Sequence, residues 1–160
     1  MDRLVGAWAR ERPDLDVRPL EVLSRVTRLA RHLDRARRTA FAEHELDVWE
    51  FDVLAALRRA GEPHVLSPGQ LLAQTMVTSG TMTNRIDRLE SRGLVQRRPD
   101  PGDRRGVRVR LTPEGRQRGD AALADLLTRE RELLSGLTTK QQDALSALLR
   151  RLVAPFEADA

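Results

Sequence analysis

The stretch HVLSPGQLLAQTMVTSGTMTNRIDRLESRGLVQRRPDPGDRRGVRVRLT, residues 64–112, decides the fold of this chain. Its first part predicts a short helix from Pro68 to about Gln74, because proline suits the first helical position. Ser67 can accept a bond from an otherwise unpaired N–H at this helix start, and Gln70 can reach back to the cap. The stretch therefore opens with a short, well-capped helix.

A second helix is predicted from Ser79 to Arg92, after a tight break at residues 76–77. Thr78 or Ser79 is expected to cap it, and Gly93 is expected to end it in the left-handed conformation that glycine adopts easily. Hydrophobic residues recur on one side of this helix and form a stripe that can pack on a core. The stripe consists of Met82, Ile86 and Leu89.

The other side of the second helix is short and polar at its N-terminal end and cationic further along. Such an end can enter the major groove of DNA, where short polar side chains and arginine meet base edges. The predicted DNA-contacting residues are Ser67, Thr78, Ser79, Thr81, Met82, Thr83, Asn84, Arg85 and Arg88, with Arg104 and Arg105 from the hairpin that follows.

That hairpin consists of two predicted strands, at residues 94–98 and 106–112, in which hydrophobic residues and arginines alternate. Residues 99–105 contain two prolines and a glycine, which predicts a protruding loop rather than a tight two-residue turn. Its tip carries Arg104 and Arg105, as a probe of phosphates or of a narrow minor groove would. A solvated hairpin with ordinary surface arginines is the alternative, but two capped helices directly before it favour DNA binding.

Residues 103–112, DRRGVRVRLT, match the D-x-R-x5-L-T wing signature of MarR-type regulators. Residues 79–90, SGTMTNRIDRLE, resemble the recognition helix of that family, and the similarity of layout covers nearly the whole chain. The resemblance implies a mainly α fold with a small β-wing, that is, a winged helix-turn-helix. It also implies a dimeric transcription regulator that binds double-stranded DNA at a pseudo-palindromic operator.

Amphipathic helices are expected on both sides of this unit, at residues 2–11, 19–43, 47–59 and 113–135 and in a last helix opened by a capping box at 138–141. Their apolar stripes can pack within one chain. However, 160 residues spread over so many helices make a thin body, and a monomer would leave stripes exposed. We therefore expect a homodimer, which places two recognition helices about one DNA turn, roughly 34 Å, apart.

The chain is accordingly interpreted as a single domain with three parts. Residues 1–46 form N-terminal helices for ligand and dimer contacts, 47–112 form the winged unit, and 113–160 form C-terminal dimerisation helices. Residues 64–66 are expected to be a very short strand that pairs with the wing.

Composition narrows the function further. The net charge of +4, largely from arginine, suits phosphate recognition, although basicity alone would fit DNA, RNA or an anionic membrane. Cysteine is absent, which excludes disulfides, thiol-based sensing and cysteine metal sites. The histidines lack ligand spacing and no catalytic triad or phosphate loop is present, so we expect no metal, no cofactor and no enzyme activity. No apolar run approaches the ~20 residues of a membrane span, and the charged N-terminus is no signal peptide, which predicts a cytoplasmic protein.

Four further residues are candidates for ligand binding: Trp8, Asp52, Arg85 and Arg97. Each has an ordinary alternative, since a tryptophan can pack, an aspartate can be solvated and arginines can touch phosphate. Together they resemble the urate-responsive branch of the MarR family, which has an added N-terminal helix with a tryptophan and the same three charged positions. Urate is a flat purine anion, so an indole face and guanidinium groups suit it.

The resemblance implies a switch. In the empty state Asp52 is expected to hold one or both of Arg85 and Arg97, and an incoming anion would compete for them. Because Arg85 is part of the recognition helix, ligand and DNA would oppose each other. We predict a repressor released by urate or a related purine. The alternatives are the same dimer answering to another small anion, such as an aromatic carboxylate, and a helical interaction protein that has lost DNA binding.

Overall fold

The computed structural model describes residues 2–75 and 78–157, including all their side chains except those of residues 104 and 105. The predicted break at residues 76–77 lies outside this range. Within the described residues the mainly α fold with a small β-wing is confirmed. The elements are α1 (Asp2–Glu11), α2 (Arg18–Ala42), α3 (Val48–Arg59), β1 (Val65–Leu66), α4 (Pro68–Thr75), α5 (Ser79–Ser91), β2 (Val95–Asp100), β3 (Asp103–Leu111), α6 (Pro113–Leu134) and α7 (Thr139–Glu157).

Capping bonds confirm the predicted starts of α4 and α7, whereas Thr78 precedes α5 without a side-chain capping bond. The Ser67 N–H donates to Gln70 Oε1 at 2.8 Å, and the Gln70 N–H donates to Ser67 Oγ at 3.2 Å. The same reciprocal pair joins Thr138 and Gln141 before α7, at 2.8 and 3.3 Å. After α5, Gly93 has a φ of 70°, which lets the chain turn into the sheet without a Cβ clash.

The hydrophobic core lies between α3, α4, α5 and the inner face of the sheet. The aromatic rings of Phe41 and Phe51 stack at its edge with their centroids 4.0 Å apart. Each fully buried aliphatic side chain of this kind stabilises the fold by roughly 1.5–3 kcal/mol relative to exposure. The fully buried set includes Leu54, Leu57, Leu71, Met82, Ile86, Leu89, Leu94, Val95 and Val109.

Helix α6 begins against this core at a glycine. A Cβ on Gly115 would lie 2.0 Å from the carbonyl oxygen of Leu94, so any side chain there would force the helix away. Glycine has a low helix propensity, but here it allows a backbone contact that no other residue permits.

The sheet is antiparallel with strand order β1-β3-β2, and the pairing of β1 with the wing is confirmed. The predicted protruding loop at residues 99–105 is wrong, because β2 and β3 continue to the tip and only Pro101 and Gly102 connect them. Pro99 is tolerated because β2 is an edge strand, where a missing N–H is permitted. Asp100 closes the turn by accepting bonds from the Gly102 N–H at 3.0 Å and from Arg108 Nε at 2.6 Å.

The chain divides after Leu126 into two compact units, and α7 lies wholly in the second. Gln142 Nε2 donates to the carbonyls of Leu134 and Leu137 at 3.3 and 3.0 Å, which closes the turn between α6 and α7. No residue that the structure describes in α7 is buried. Among the helices of the described ranges, none is long and apolar enough to cross a membrane.

Candidate nucleic-acid interface and effector cleft

Helix α5 presents the predicted reading face to solvent. Most of the predicted contacts on it are exposed, and Ser67 and Arg85 are half-buried. Met82 is fully buried in the core stripe, so the prediction that it contacts DNA is wrong. The reason is geometric: a residue one turn before Ile86 shares its inward face. The exposed residues are Thr78, Ser79, Thr81, Thr83, Asn84 and Arg88.

The hydroxyl groups at the N-terminal end of α5 already have local partners. The hydroxyls of Thr78 and Thr81 lie 2.9 Å apart, and Thr83 Oγ1 donates to the Ser79 carbonyl at 3.3 Å. The side-chain amide of Asn84, in contrast, makes no hydrogen bond to any part of the chain that the structure describes. Its amide offers the donor and acceptor that an adenine edge requires, and it is the group of this face best prepared for base contact.

Two arginines of α5 rest on an aromatic ring of α3. The guanidinium carbons of Arg85 and Arg88 lie 5.3 and 4.8 Å from the ring centroid of Trp49. Trp49 Nε1 in turn donates to Asp47 Oδ2 at 3.2 Å. Cation–π contacts at exposed positions contribute about 0.5–1 kcal/mol each. The half-buried ring of Trp49 therefore supports two cations of the predicted reading face.

The opposite end of α5 is attached by a buried ion pair that no sequence pattern predicts. Glu50 has only 2% of its side chain exposed, and its Oε2 accepts bonds from the Asp47 N–H at 2.9 Å and from Arg92 Nη1 at 2.6 Å. Arg92 Nη2 also donates to the Glu45 carbonyl at 2.6 Å. Since Arg92 follows the last residue of α5, these bonds fix the recognition helix against the start of α3. Nothing local in the sequence pairs residues 42 positions apart.

Arg97 is held by carboxylates of α5 rather than by Asp52. Its Nη1 lies 2.8 Å from Glu90 Oε2 and its Nη2 lies 2.5 Å from Asp87 Oδ1. Partial burial alone would lower the pKa of Arg97, but the bonds to Asp87 and Glu90 outweigh it and raise the pKa above its ordinary value. The predicted pairing of Asp52 with Arg97 is therefore wrong in the free chain.

Asp52 lies instead beside an arginine of α2. Its Oδ1 accepts from Arg37 Nη2 at 3.1 Å, and about 43% of its side chain is exposed. Asp52 and Arg85 both line an open cleft of about 600 Å³, with Trp49 and Arg38 also in its wall, but they form no ion pair with each other. The predicted pairing of Asp52 with Arg85 is likewise wrong, because α2 brings a nearer cation. Trp8, half exposed on α1, does not line this cleft, and neither does Arg97.

Comparison with known proteins places this architecture in a family. Residues 44–106 match the profile of the MarR family. The transcriptional regulator PecS of Dickeya dadantii is 40% identical over 149 residues, which cover 93% of this chain and 90% of PecS. The chain belongs to the MarR family. The transcriptional repressor NicR of Pseudomonas putida is 32% identical, with 87% of this chain and 89% of NicR covered.

A solved structure agrees with these sequence relatives. The structure of a MarR mutant from E. coli complexed with operator DNA has a TM-score of 0.68 and 29% identity, and covers 86% of this chain and 95% of that chain. This MarR-family protein is thus a DNA-binding transcription regulator rather than an enzyme. The alternative of a helical interaction protein without DNA binding is set aside.

Proposed function

We propose that this regulator is a homodimeric repressor released from its operator by urate or a related purine. The observation that carries the proposal is the position of Arg85, which belongs to the recognition helix and also lines the cleft that contains Asp52. A ligand that draws Arg85 into the cleft changes a residue of the DNA-reading face. Ligand and DNA then weaken each other's binding by the same factor. In this proposal the protein acts in the cytoplasm, where the chromosome is.

The proposed contact for a planar effector with an anionic group is Arg85 beside the Trp49 ring, which supplies a flat apolar surface. The other cation of the cleft, Arg38, is paired with Asp34 at 2.7 Å. Guanidinium groups bind oxyanions through paired hydrogen bonds, and indole rings stack on flat heterocycles. Asp52 disfavours an anion while it is ionised, so the incoming ligand must either displace it or leave it paired with Arg37.

The full four-residue site requires two changes from the free chain. Arg97 has to leave Asp87 and Glu90, and Trp8 has to reach the cleft. Variants at these two positions therefore separate urate recognition from DNA binding. The repressor role is supported by the relative NicR, which is a repressor, and the urate response by the match of all four positions to the urate-responsive branch.

The homodimer is proposed from uncovered apolar stripes. Helix α2 buries only Ala40 and Phe41 of its described residues, and α7 buries none. Large apolar side chains left in water mark association surfaces. On α2 the exposed stripe is Val22, Leu23, Val26 and Leu29, and on α7 it is Leu148, Leu152, Val153 and Phe156.

An aromatic carboxylate is the second candidate effector. The cleft that holds Arg85 is walled by Trp49 and Arg38, and Trp8 is outside it. A flat carboxylate would find a ring and a cation there without any contribution from Trp8 or Arg97. This cleft therefore supports a MarR-type response to such an anion with the same effect on Arg85.

Operator titration with each effector tests the proposal. The operator is first selected by the wild-type protein from random duplexes, and DNA affinity is then measured with no effector, with urate and with benzoate. We expect urate to release the wild type, while Trp8→Ala and Arg97→Gln retain DNA affinity and lose most of the urate response. Arg10→Ala, on the same helix as Trp8, serves as the control and should respond normally. Release by benzoate alone, unaffected by Trp8→Ala, would establish the second candidate in place of urate.

A further inference from the structure

The wing sheet has a second, outward face that none of the proposed contacts uses. Cross-strand register places Gln96 opposite Arg110 and Arg98 opposite Arg108, all on one side of the sheet. We call these four residues the outer wing face. The alternate positions point into the core, because side chains of a strand alternate between its two sides. The buried residues of the inner side are Val95, Val109 and Leu111.

Two of the three arginines on the outer wing face keep an uncompensated charge. Arg108 Nε lies 2.6 Å from Asp100 Oδ2, so a carboxylate balances that charge. Arg98 donates only to the neutral Gln96 Oε1, at 3.0 Å. The side chain of Arg110 makes no hydrogen bond or ion pair with any residue in the described ranges. The outer wing face therefore presents two cations to solvent, at diagonal positions on neighbouring strands.

Gln96, Arg98 and Arg110 also line an open cleft with a volume of about 520 Å³. Its wall includes Glu62 and Asp120, which pair with Arg116 at 3.3 and 3.7 Å and weaken the attraction of the cleft for a small anion. His64 lies beneath it with both ring nitrogens buried and without a hydrogen-bond partner in the described chain; Glu62 Oε1 lies 3.1 Å from Nε2 but outside hydrogen-bond geometry. The available charge stands on the strand surface, where an extended polyanion can reach it.

We propose that the outer wing face binds backbone phosphates of operator DNA beyond the base pairs that α5 reads. On the inner side of the same sheet, Arg97 contacts α5 through Asp87 and Glu90. The outer wing face is therefore on the side of the sheet that faces away from the recognition helix. In this proposal, a duplex that contacts α5 and the wing tip continues past the side of the sheet that carries Arg98 and Arg110. The proposal rests on DNA binding by this family and is independent of the effector.

The strand geometry ranks the two arginines. Arg98 lies two residues from the end of β2 at Asp100, and Arg110 pairs with Gln96, two residues further from the tip. At about 3.3 Å per residue these positions are roughly 7 and 13 Å from the wing tip. A duplex held at the tip meets Arg98 first and reaches Arg110 only when it bends toward the protein. Arg98 is therefore expected to contribute more than Arg110.

The test compares two lengths of the same selected operator. The minimal duplex ends at the base pairs protected by the wing tips, and the long duplex extends both ends by about one helical turn, roughly 10 base pairs. Affinity of the full-length protein is measured by fluorescence anisotropy over a range of salt concentrations. The variants are Arg98→Gln and Arg110→Gln, and the matched control is Arg31→Gln, an exposed arginine of α2.

We expect the wild type to bind the long duplex more tightly than the minimal one. Arg98→Gln should weaken long-duplex binding by about two- to fivefold, as loss of an exposed ion pair does, and lower the salt slope by about 0.9 per lost phosphate contact. Arg110→Gln should have a smaller effect, and Arg31→Gln should match the wild type on both duplexes.

Three outcomes overturn the proposal. The first is that the wild type binds both duplex lengths equally, and the second is that Arg98→Gln weakens binding to both lengths equally. The third is that inorganic phosphate raises the thermal stability of the wild type more than chloride at the same ionic strength, and that Arg98→Gln abolishes this effect. The last result assigns the face to a small anion. Failure to bind even the minimal duplex would instead contradict DNA reading itself, so the two failures are distinguishable.

Discussion

The winged unit and the terminal helices treat the same kind of side chain in opposite ways. In α5 every leucine and isoleucine is buried, and the stripe of that helix is complete within one chain. In α7 the described residues include leucines at 148 and 152 that are more than half exposed, and Phe156 is 79% exposed. Helices with similar sequence patterns thus differ in whether the single chain supplies their partner.

This difference shows which elements find their packing partners within one chain. The winged unit has its own caps, a buried ion pair between Glu50 and Arg92, and a core that Phe41 of α2 and Leu126 of α6 complete within the same chain. The terminal helices carry apolar stripes that nothing in the described chain covers fully. Because a stripe left in water forfeits roughly 25 cal/mol for each Å² it could bury, a second copy is the partner we propose.

The largest expected effect comes from a charge in the exposed stripe of α7. Leu152→Asp should dissociate the proposed dimer and abolish operator binding, because burial of an unpaired neutral polar group already costs about 2–7 kcal/mol and an ionised carboxylate costs more. Size-exclusion chromatography and anisotropy measure the two effects. Ala147→Asp, on the far side of the same helix, is the control and should retain both properties. A dimeric Leu152→Asp variant that binds operator would show that the stripe is not the interface.

A substitution within the winged unit should lower the stability of the chain and leave the proposed dimer intact. Glu50→Gln breaks the buried pair with Arg92 and should lower the free energy of unfolding by about 3 kcal/mol, at the low end of the range because Arg92 is one-third exposed. Urea denaturation measures this loss, and the dimer should remain. Asp34→Asn, which breaks the exposed pair with Arg38, is the control and should cost less than about 0.5 kcal/mol. Equal effects of the two substitutions would contradict the role given to the buried pair.

Substitutions in the reading face and in the wing should have different effects on DNA binding. Asn84→Ala is expected to relax base preference at one operator position by about 1–3 kcal/mol, whereas Arg104→Ala and Arg105→Ala should weaken binding to many sequences and reduce the salt slope. Affinities for a set of single-base operator variants measure the first effect, and salt titrations measure the second. An Asn84→Ala variant that retained base preference while losing affinity uniformly would assign Asn84 to phosphate.

The smallest expected effect concerns the wing turn. The Gly102 N–H and then Arg108 hold the pKa of Asp100 below its ordinary value of 3.8. Because the folded-state pKa is the lower one, this contribution to stability is present above pH 3.8 and is lost as the pH falls through the folded-state value. The amide resonance of Gly102 should therefore titrate below pH 3.8. A midpoint above that pH would mean that the turn lacks these bonds in solution.

Local rules predict most of this fold and little of the ligand cleft. Ser67 and Gln70 are three residues apart, so their capping bonds can be inferred from sequence. The tight wing turn differs from the predicted loop because Pro99 lies on an edge strand. A proline interrupts a strand only where its missing N–H would be needed for pairing, and an edge strand does not need it. Asp52 binds Arg37 from another helix, a choice set by how α2 crosses α3 and not by any spacing in the sequence.

Sedimentation equilibrium of the full chain tests the central claim most directly. The account predicts a species of twice the 18.1 kDa chain mass at micromolar concentration, converted to the monomer by Leu152→Asp together with loss of operator binding. A wild-type protein that sediments at 18.1 kDa and still binds its operator tightly would contradict the account, because the exposed stripes of α2 and α7 would then need no partner.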